Sequence, residues 1–244
     1  LLYGSQVMNG VIEEKSSRII EVIISSVKSY QLMLGKIIGV GLVGLTQFLL
    51  WIVLTIGLTQ VTGKIYASKA KAIMAVDQGK VSVDMQNAMQ DSPMGEVTKV
   101  LESTNIPLIL VAFLFYFFVG YLLYSSLFAA IGSAVESATE AQQFTFIVMI
   151  PIILSFLLAQ YTMQDPDSTV AFWASMIPFT SPINMMVRLP YGVPMWELAL
   201  SMSLLVVGFL ACSWISARIY RVGILMYGKK ATWKELSKWL FYKG

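Results

Sequence analysis

Histidine is absent from this 244-residue chain, cysteine occurs once, and only 13% of the residues are charged. Without histidine there is no Ser-His catalysis, intramembrane Ser-His pairs included, and no His-ligated zinc. The single cysteine, Cys212, lies inside an apolar run, so it closes no intrachain disulfide and builds no cysteine metal cluster. No G-x-x-x-x-G-K-[ST] motif occurs, because no Gly-Lys pair is followed by Ser or Thr. ATP is therefore not bound through a phosphate loop. Adjacent carboxylates occur only at Glu13-Glu14, where solvated charge is a better reading than acid-base chemistry.

What the chain has in abundance is apolar surface. Hydrophobic residues make up 57% and the mean hydropathy is +0.70, whereas a soluble domain carries about 25% charge. The apolar residues gather into four complete runs, at 37–61, 106–131, 144–161 and 198–217, none containing Asp, Glu, Lys or Arg. Roughly 18 such residues cross a bilayer. Lipid offers no partner for a free peptide group, so each run must be helical. A barrel would need strands of alternating polarity, and these runs do not alternate. The fold class is an all-α integral membrane protein: four complete transmembrane helices plus the end of a fifth, with amphipathic cytosolic and interfacial helices. Residues 1–10 read as that fifth end, the last part of a helix that starts upstream. Pro151, inside the third run, should kink it.

Charge sets orientation. Residues 12–36 carry Lys15, Arg18, Lys28 and Lys36, and the tail 218–244 is richer still in basic residues. The positive-inside rule places both in the cytoplasm. The loop 62–105 balances its lysines with acids and reads as an outer connector broken at Ser92-Pro93. The spans themselves offer only neutral polar groups such as Gln47, Thr55, Tyr124, Ser125, Thr145 and Ser155. Coupled carriers usually need ionisable groups near the midplane, so energy for uphill movement should arrive from outside the chain. Topology accounts for the basic residues, and nucleic acid is not an expected partner.

Within 12–28, Ile12, Ile19, Ile20, Ile23, Ile24 and Val27 fall on one side of a helix, opposite Glu14, Arg18, Glu21, Ser25 and Lys28. Glu14 and Arg18 stand in the favourable i,i+4 order. The pattern supports two readings equally: a solvated helix joining two spans, or a docking surface for a cytosolic partner. Residues 163–196 form a second outer segment, dense in Pro and aromatics. Asp165-Pro166 reads as a helix start, with the helix running to about Met176. Around 184–189 the segment either dips into the membrane or lies along its interface. In the tail, Thr232-Trp233-Lys234-Glu235 is a capping box opening a helix against the inner leaflet.

The run VIEEKSSRIIEVIISSV from Val11, followed by Leu34-Gly35-Lys36 and a glycine-rich span, resembles type-2 ABC-exporter permeases, and most closely their sodium-efflux branch. The strings IPFTSP from Ile177, RLPYGVP from Arg188 and YRVGILMYGKK from Tyr220 carry the same resemblance. It implies a non-catalytic permease half, multi-pass in the bacterial inner (plasma) membrane. Its partners would be a second permease half, identical or different, and a cytosolic ABC ATPase. No cofactor would sit in this chain; ATP and magnesium would enter through the ATPase. Glu13, Glu14, Lys15, Arg18 and Glu21 would lie on the coupling helix that contacts it. The sequence departs from the family in lacking the first span and the large outer domain. The branch name implies sodium as cargo, yet no sodium cage is legible, and lipids, peptides and drugs fit equally. An ATP-independent carrier or channel and a non-transporting membrane scaffold are the rival readings.

Overall fold

The computed structural model describes residues 2–17, 27–74 and 105–226. Among them every regular element is helical: α1 (Leu2–Ser16), α2 (Ser29–Met74), α3 (Ile106–Ala134), α4 (Ala138–Gln164), α5 (Thr169–Met176), α6 (Ser181–Arg188), a 3₁₀ turn (Leu189–Tyr191) and α7 (Met195–Gly223). Four helices are long and apolar enough to cross a bilayer: α2 over Ser29–Gly63, then α3, α4 and α7. The all-α membrane architecture read from the apolar runs therefore stands. Arg18, Glu21, the Ser92-Pro93 break and the tail capping box lie outside the described residues.

The chain divides into two compact units, Leu1–Val43 with Ile109–Gly244, and Gly44–Leu108. In the second unit, α2 presents Leu50, Trp51, Val53 and Leu58 outward. Its hydroxyls bond back along the helix: Thr55 donates to the Trp51 carbonyl at 2.8 Å and Thr62 to that of Leu58 at 2.8 Å. That is how a polar side chain is satisfied on a face with no water. At 46 residues α2 is about 69 Å long at the standard rise of 1.5 Å. It thus continues well past the 61/62 boundary expected for the span. Residues 64–74 are rich in Ala and Lys and hold no Gly or Pro to stop it.

In the first unit small residues let helices approach closely, as membrane helix packing requires. Ser125, Ser126, Ala129, Gly132 and Ser133 of α3 are buried. Where α7 meets the chain after α5, a Cβ on Gly208 would stand 2.5 Å from Pro178 Cβ. The turn from α3 to α4 is short because Ser137 caps α4, accepting from the Glu140 N–H at 3.3 Å, and the Glu140 carboxylate accepts from the Glu136 N–H at 3.4 Å. Helix α4 runs from Ala138 to Gln164 with Pro151 inside it, and the Pro151 carbonyl accepts from Ser155 Oγ at 2.8 Å. The expected helix start at Asp165-Pro166 is corrected. Asp165 closes α4, its N–H bonding to the Tyr161 carbonyl, and Ser168 caps α5, accepting from the Ala171 N–H at 3.2 Å. The three-residue shift follows because α4 keeps winding until its last turn is satisfied.

Candidate functional site at the Lys15 end of the bundle

Helix α1 does not pause between residues 10 and 12, where the span was expected to end and the amphipathic stretch to begin. It runs to Ser16 and buries Val7, Met8, Val11 and Ile12. Val7 and Val11 share a core with Met33 and Ile37 of α2, Ala129 of α3, and Tyr220 of α7 with Ile224 beyond it. Met8 and Ile12 join a second core with Phe128, Val135, Ala141 and Val148. Its last turn closes on serine hydroxyls: Ser16 Oγ donates to the Glu13 carbonyl at 3.0 Å and Ser17 Oγ to that of Glu14 at 3.1 Å.

The consecutive charges Glu13-Glu14-Lys15 point three ways, as the 100° step of a helix demands. Glu13 is exposed. Glu14 pairs with Lys36 at 2.7 Å, so its ionic partner is the second turn of α2. The expected partner, Arg18, lies outside the described residues. The Lys36 stem runs over Gly10, where an added Cβ would stand 3.2 Å from Nζ. Lys15 is 2% exposed. Its ammonium donates to the Ser133 carbonyl at 2.7 Å and to the Gly223 carbonyl at 2.8 Å. Both acceptors belong to the last turn of a spanning helix, where carbonyls lack intrahelical partners and the dipole favours a cation. Burial pushes the Lys15 ammonium down to about 8 from 10.5, against the opposing pull of Glu136 and Glu140. Of the three consecutive charges, Lys15 thus has its charged end turned into the bundle, whereas Glu13 is exposed.

A second polar cluster sits at the other end of these helices. Arg188, 4% exposed, pairs with Glu197 at 2.9 Å. It also donates to the Pro166 carbonyl and to Ser175 Oγ, each at 2.8 Å. Ser201 Oγ donates to the Ser175 carbonyl at 2.6 Å, and Tyr116 OH to Ser201 Oγ at 2.8 Å. Asn184 adds donation to the Ser155 and Thr180 carbonyls at 3.2 and 3.1 Å. The sequence places Arg188 within the outer segment 163–196 but does not by itself name Glu197 as its mate. The available signal was opposite charges nine residues apart, flanking the Pro-Tyr-Gly-Val-Pro turn.

Between α3, α4 and α7 lies a cavity of about 300 Å³, lined by residues including Tyr124, Leu127, Phe144, Val148, Pro151 and Ile219. Among the described residues no charged one lines it. The Tyr124 hydroxyl donates to the Phe179 carbonyl at 2.6 Å. Among the described residues no group of His, Cys, Asp or Glu could hold a metal ion.

Apolar spans, buried polar clusters at both ends and a half-open apolar pocket between helices define a polytopic helical membrane component. Residues 1–218 match the model of the ABC-2 family transporter proteins, and the chain belongs to that family. It is 27% identical over 240 residues to uncharacterized protein YhaP of Bacillus subtilis (strain 168), covering 98% of this chain and 51% of that protein. It is 26% identical over 238 residues to uncharacterized protein MJ1024 of Methanocaldococcus jannaschii, covering 97% of this chain and 49% of that one. The chain thus spans about half the length of the curated relatives it matches. No solved structure matches it.

Proposed function

We propose that this chain is the membrane-spanning permease part of an ATP-driven exporter. It would work with a separate cytosolic ABC ATPase and a second permease half in a bacterial inner membrane. The family carries the transporter reading. The ATP-driven reading rests on the want of both a phosphate loop and intramembrane charge, which leaves a protein contact as the entry for energy. One structural observation supports the 12–36 region as that contact. The Glu14–Lys36 pair at 2.7 Å fixes the last turn of α1 to the second turn of α2, so this connection leaves and rejoins the bundle at two helices that are bonded to each other. On that connection Glu13, Glu14, Arg18 and Glu21 are the partner-facing candidates, and Lys15 is withdrawn because it is buried. Sodium enters as cargo through the sodium-efflux resemblance alone. The cavity, with no charged group in its wall, is better suited to an apolar cargo.

The test is purification of the full-length protein with its native partners and identification of what co-purifies. An ABC ATPase is expected. Reversal of Glu13→Lys with Glu21→Lys leaves the spans and the Glu14–Lys36 pair untouched. It should weaken ATPase association roughly tenfold or more, since interfacial charges fix register and specificity. The matching swap in the expected outer loop, Lys80→Glu with Asp84→Lys, should not. Transport without any ATPase would favour a carrier or channel, and neither transport nor substrate-dependent ATP turnover would favour a scaffold.

A further inference from the structure

Three helices meet backbone to backbone around Lys15. A Cβ on Gly132 of α3 would stand 2.7 Å from the Met8 carbonyl of α1, and one on Gly223 of α7 would stand 2.8 Å from the Ser133 carbonyl of α3. Neither contact leaves room for a side chain to slide between. Into this junction Lys15 sends an ammonium that bonds both the Ser133 and the Gly223 carbonyl, residues 118 and 208 positions away. These carbonyls belong to the ends of α3 and α7, and Lys15 is the last residue but one of α1. Residues 18–26 follow directly.

We propose that Lys15 is a positioning residue for transport: the joint through which a displacement of the residues after α1 is passed to the ends of α3 and α7. The proposal rests on the reading of residues 12–36 as the ATPase contact. A buried donor shared between two carbonyls resists being pulled off either, because the Ser133 carbonyl would lose the ammonium and the Gly223 carbonyl would keep only the Met226 N–H at 3.2 Å. Close glycine packing removes the slack that side chains would otherwise take up. When α1 moves, α3 and α7 move with it. These two helices supply Tyr124, Leu127 and Ile219 to the apolar cavity, so the joint reaches the cavity wall directly. The Glu14–Lys36 pair ties α2 to the same end of α1 through a separate contact.

The test uses the full-length protein purified with its ATPase in lipid nanodiscs, with Cys212→Ser and spin labels at Asp167→Cys and Arg221→Cys, both exposed positions. The label-to-label distance is measured without nucleotide and after trapping with ATP and vanadate. The parent distance should shift between the two states. In Lys15→Met, which keeps an unbranched apolar stem but no donor, the shift should vanish while the ATPase stays associated and hydrolyses ATP. Lys15→Arg, with donors for both carbonyls, should restore it. If Lys15→Met does not accumulate, Lys15→Gln serves, being too short to reach both carbonyls, and the same loss is expected. An unchanged shift in a folded Lys15 variant overturns the proposal. A parent complex without an ATPase, or without any nucleotide-dependent shift, overturns the exporter reading and the joint with it.

Discussion

Arg188 and Glu197 carry full charges at positions 4% and 9% exposed, which is costly unless every lone pair and proton is used. Here the guanidinium reaches a carboxylate, a hydroxyl and a carbonyl at once. Removing one partner is therefore worse than removing both. Arg188→Met should cost about 3–5 kcal/mol by leaving the Glu197 carboxylate unpaired. Arg188→Met with Glu197→Met should cost clearly less, and thermal unfolding of the two variants in detergent compares them directly; equal losses would mean that an unpaired Glu197 carries no penalty of its own. Lys15 poses the opposite case, a buried cation with carbonyl partners. Its folded pKa lies near 8, below the ordinary 10.5. Between those values the unfolded chain holds the extra proton, so the Lys15 contribution to stability should rise with pH from about 8 to about 10.5. Below 8 both states are protonated and the burial cost is fully present. The difference in Tm between parent and Lys15→Met, followed from pH 7 to pH 10, should move in favour of the parent. The bonds to Ser133 and Gly223 survive, since a neutral amine still donates. A difference that falls as pH rises would show that the carbonyls hold the cation more strongly than burial disfavours it.

At the scale of helices, what was legible in the sequence is what lipid dictates. The four runs at 37–61, 106–131, 144–161 and 198–217 fall inside α2, α3, α4 and α7, because uncharged length is a compositional signal. Apart from the start of α3 at Ile106, their ends were not legible, because ends are set by polar residues outside the apolar run. Ser137 and Glu140 start α4 six residues before its expected beginning, and Glu197 lies in the first turn of α7. The Lys15 site was half legible. The family resemblance singled out Lys15 within residues 12–36, but its burial depends on carbonyls 118 and 208 residues away, which no local pattern encodes. The packing of the proline-rich segment was invisible for the same reason, since Gly208 receives Pro178 from a distant part of the chain. Gly208→Val should consequently overpack that contact and cost about 1–3 kcal/mol. Gly57→Val, at a helix position with nothing within 4 Å, should leave the melting temperature of the protein unchanged. Equal effects at both sites would mean that helix propensity, not packing on Pro178, governs the response.

Across the whole molecule the two buried polar clusters mark opposite ends of the bundle, and their charges differ in kind. At one end a lysine and helix carbonyls share a proton-rich junction, with Lys28, Arg218 and Arg221 nearby in the chain; Arg218 also stacks over the Trp214 ring at 4.1 Å, an aromatic-cation pair suited to a headgroup boundary. At the other end the buried cation Arg188 is cancelled by Glu197, and Asp165 and Asp167 stand at the turn between α4 and α5. The positive-inside rule then assigns the Lys15 end to the cytoplasm and the Arg188 end to the outside. Lys28 and Asp167 are both exposed and test this without entering either cluster. In a Cys212→Ser background, Asp167→Cys should react with an impermeant thiol reagent in intact cells. Lys28→Cys should react only after the membrane is permeabilised. The reverse pattern would turn the molecule over and put Arg188, not Lys15, on the side where an ATPase could reach it. Residues 12–36 would then lose their part in coupling, and the joint at Lys15 would have nothing to transmit.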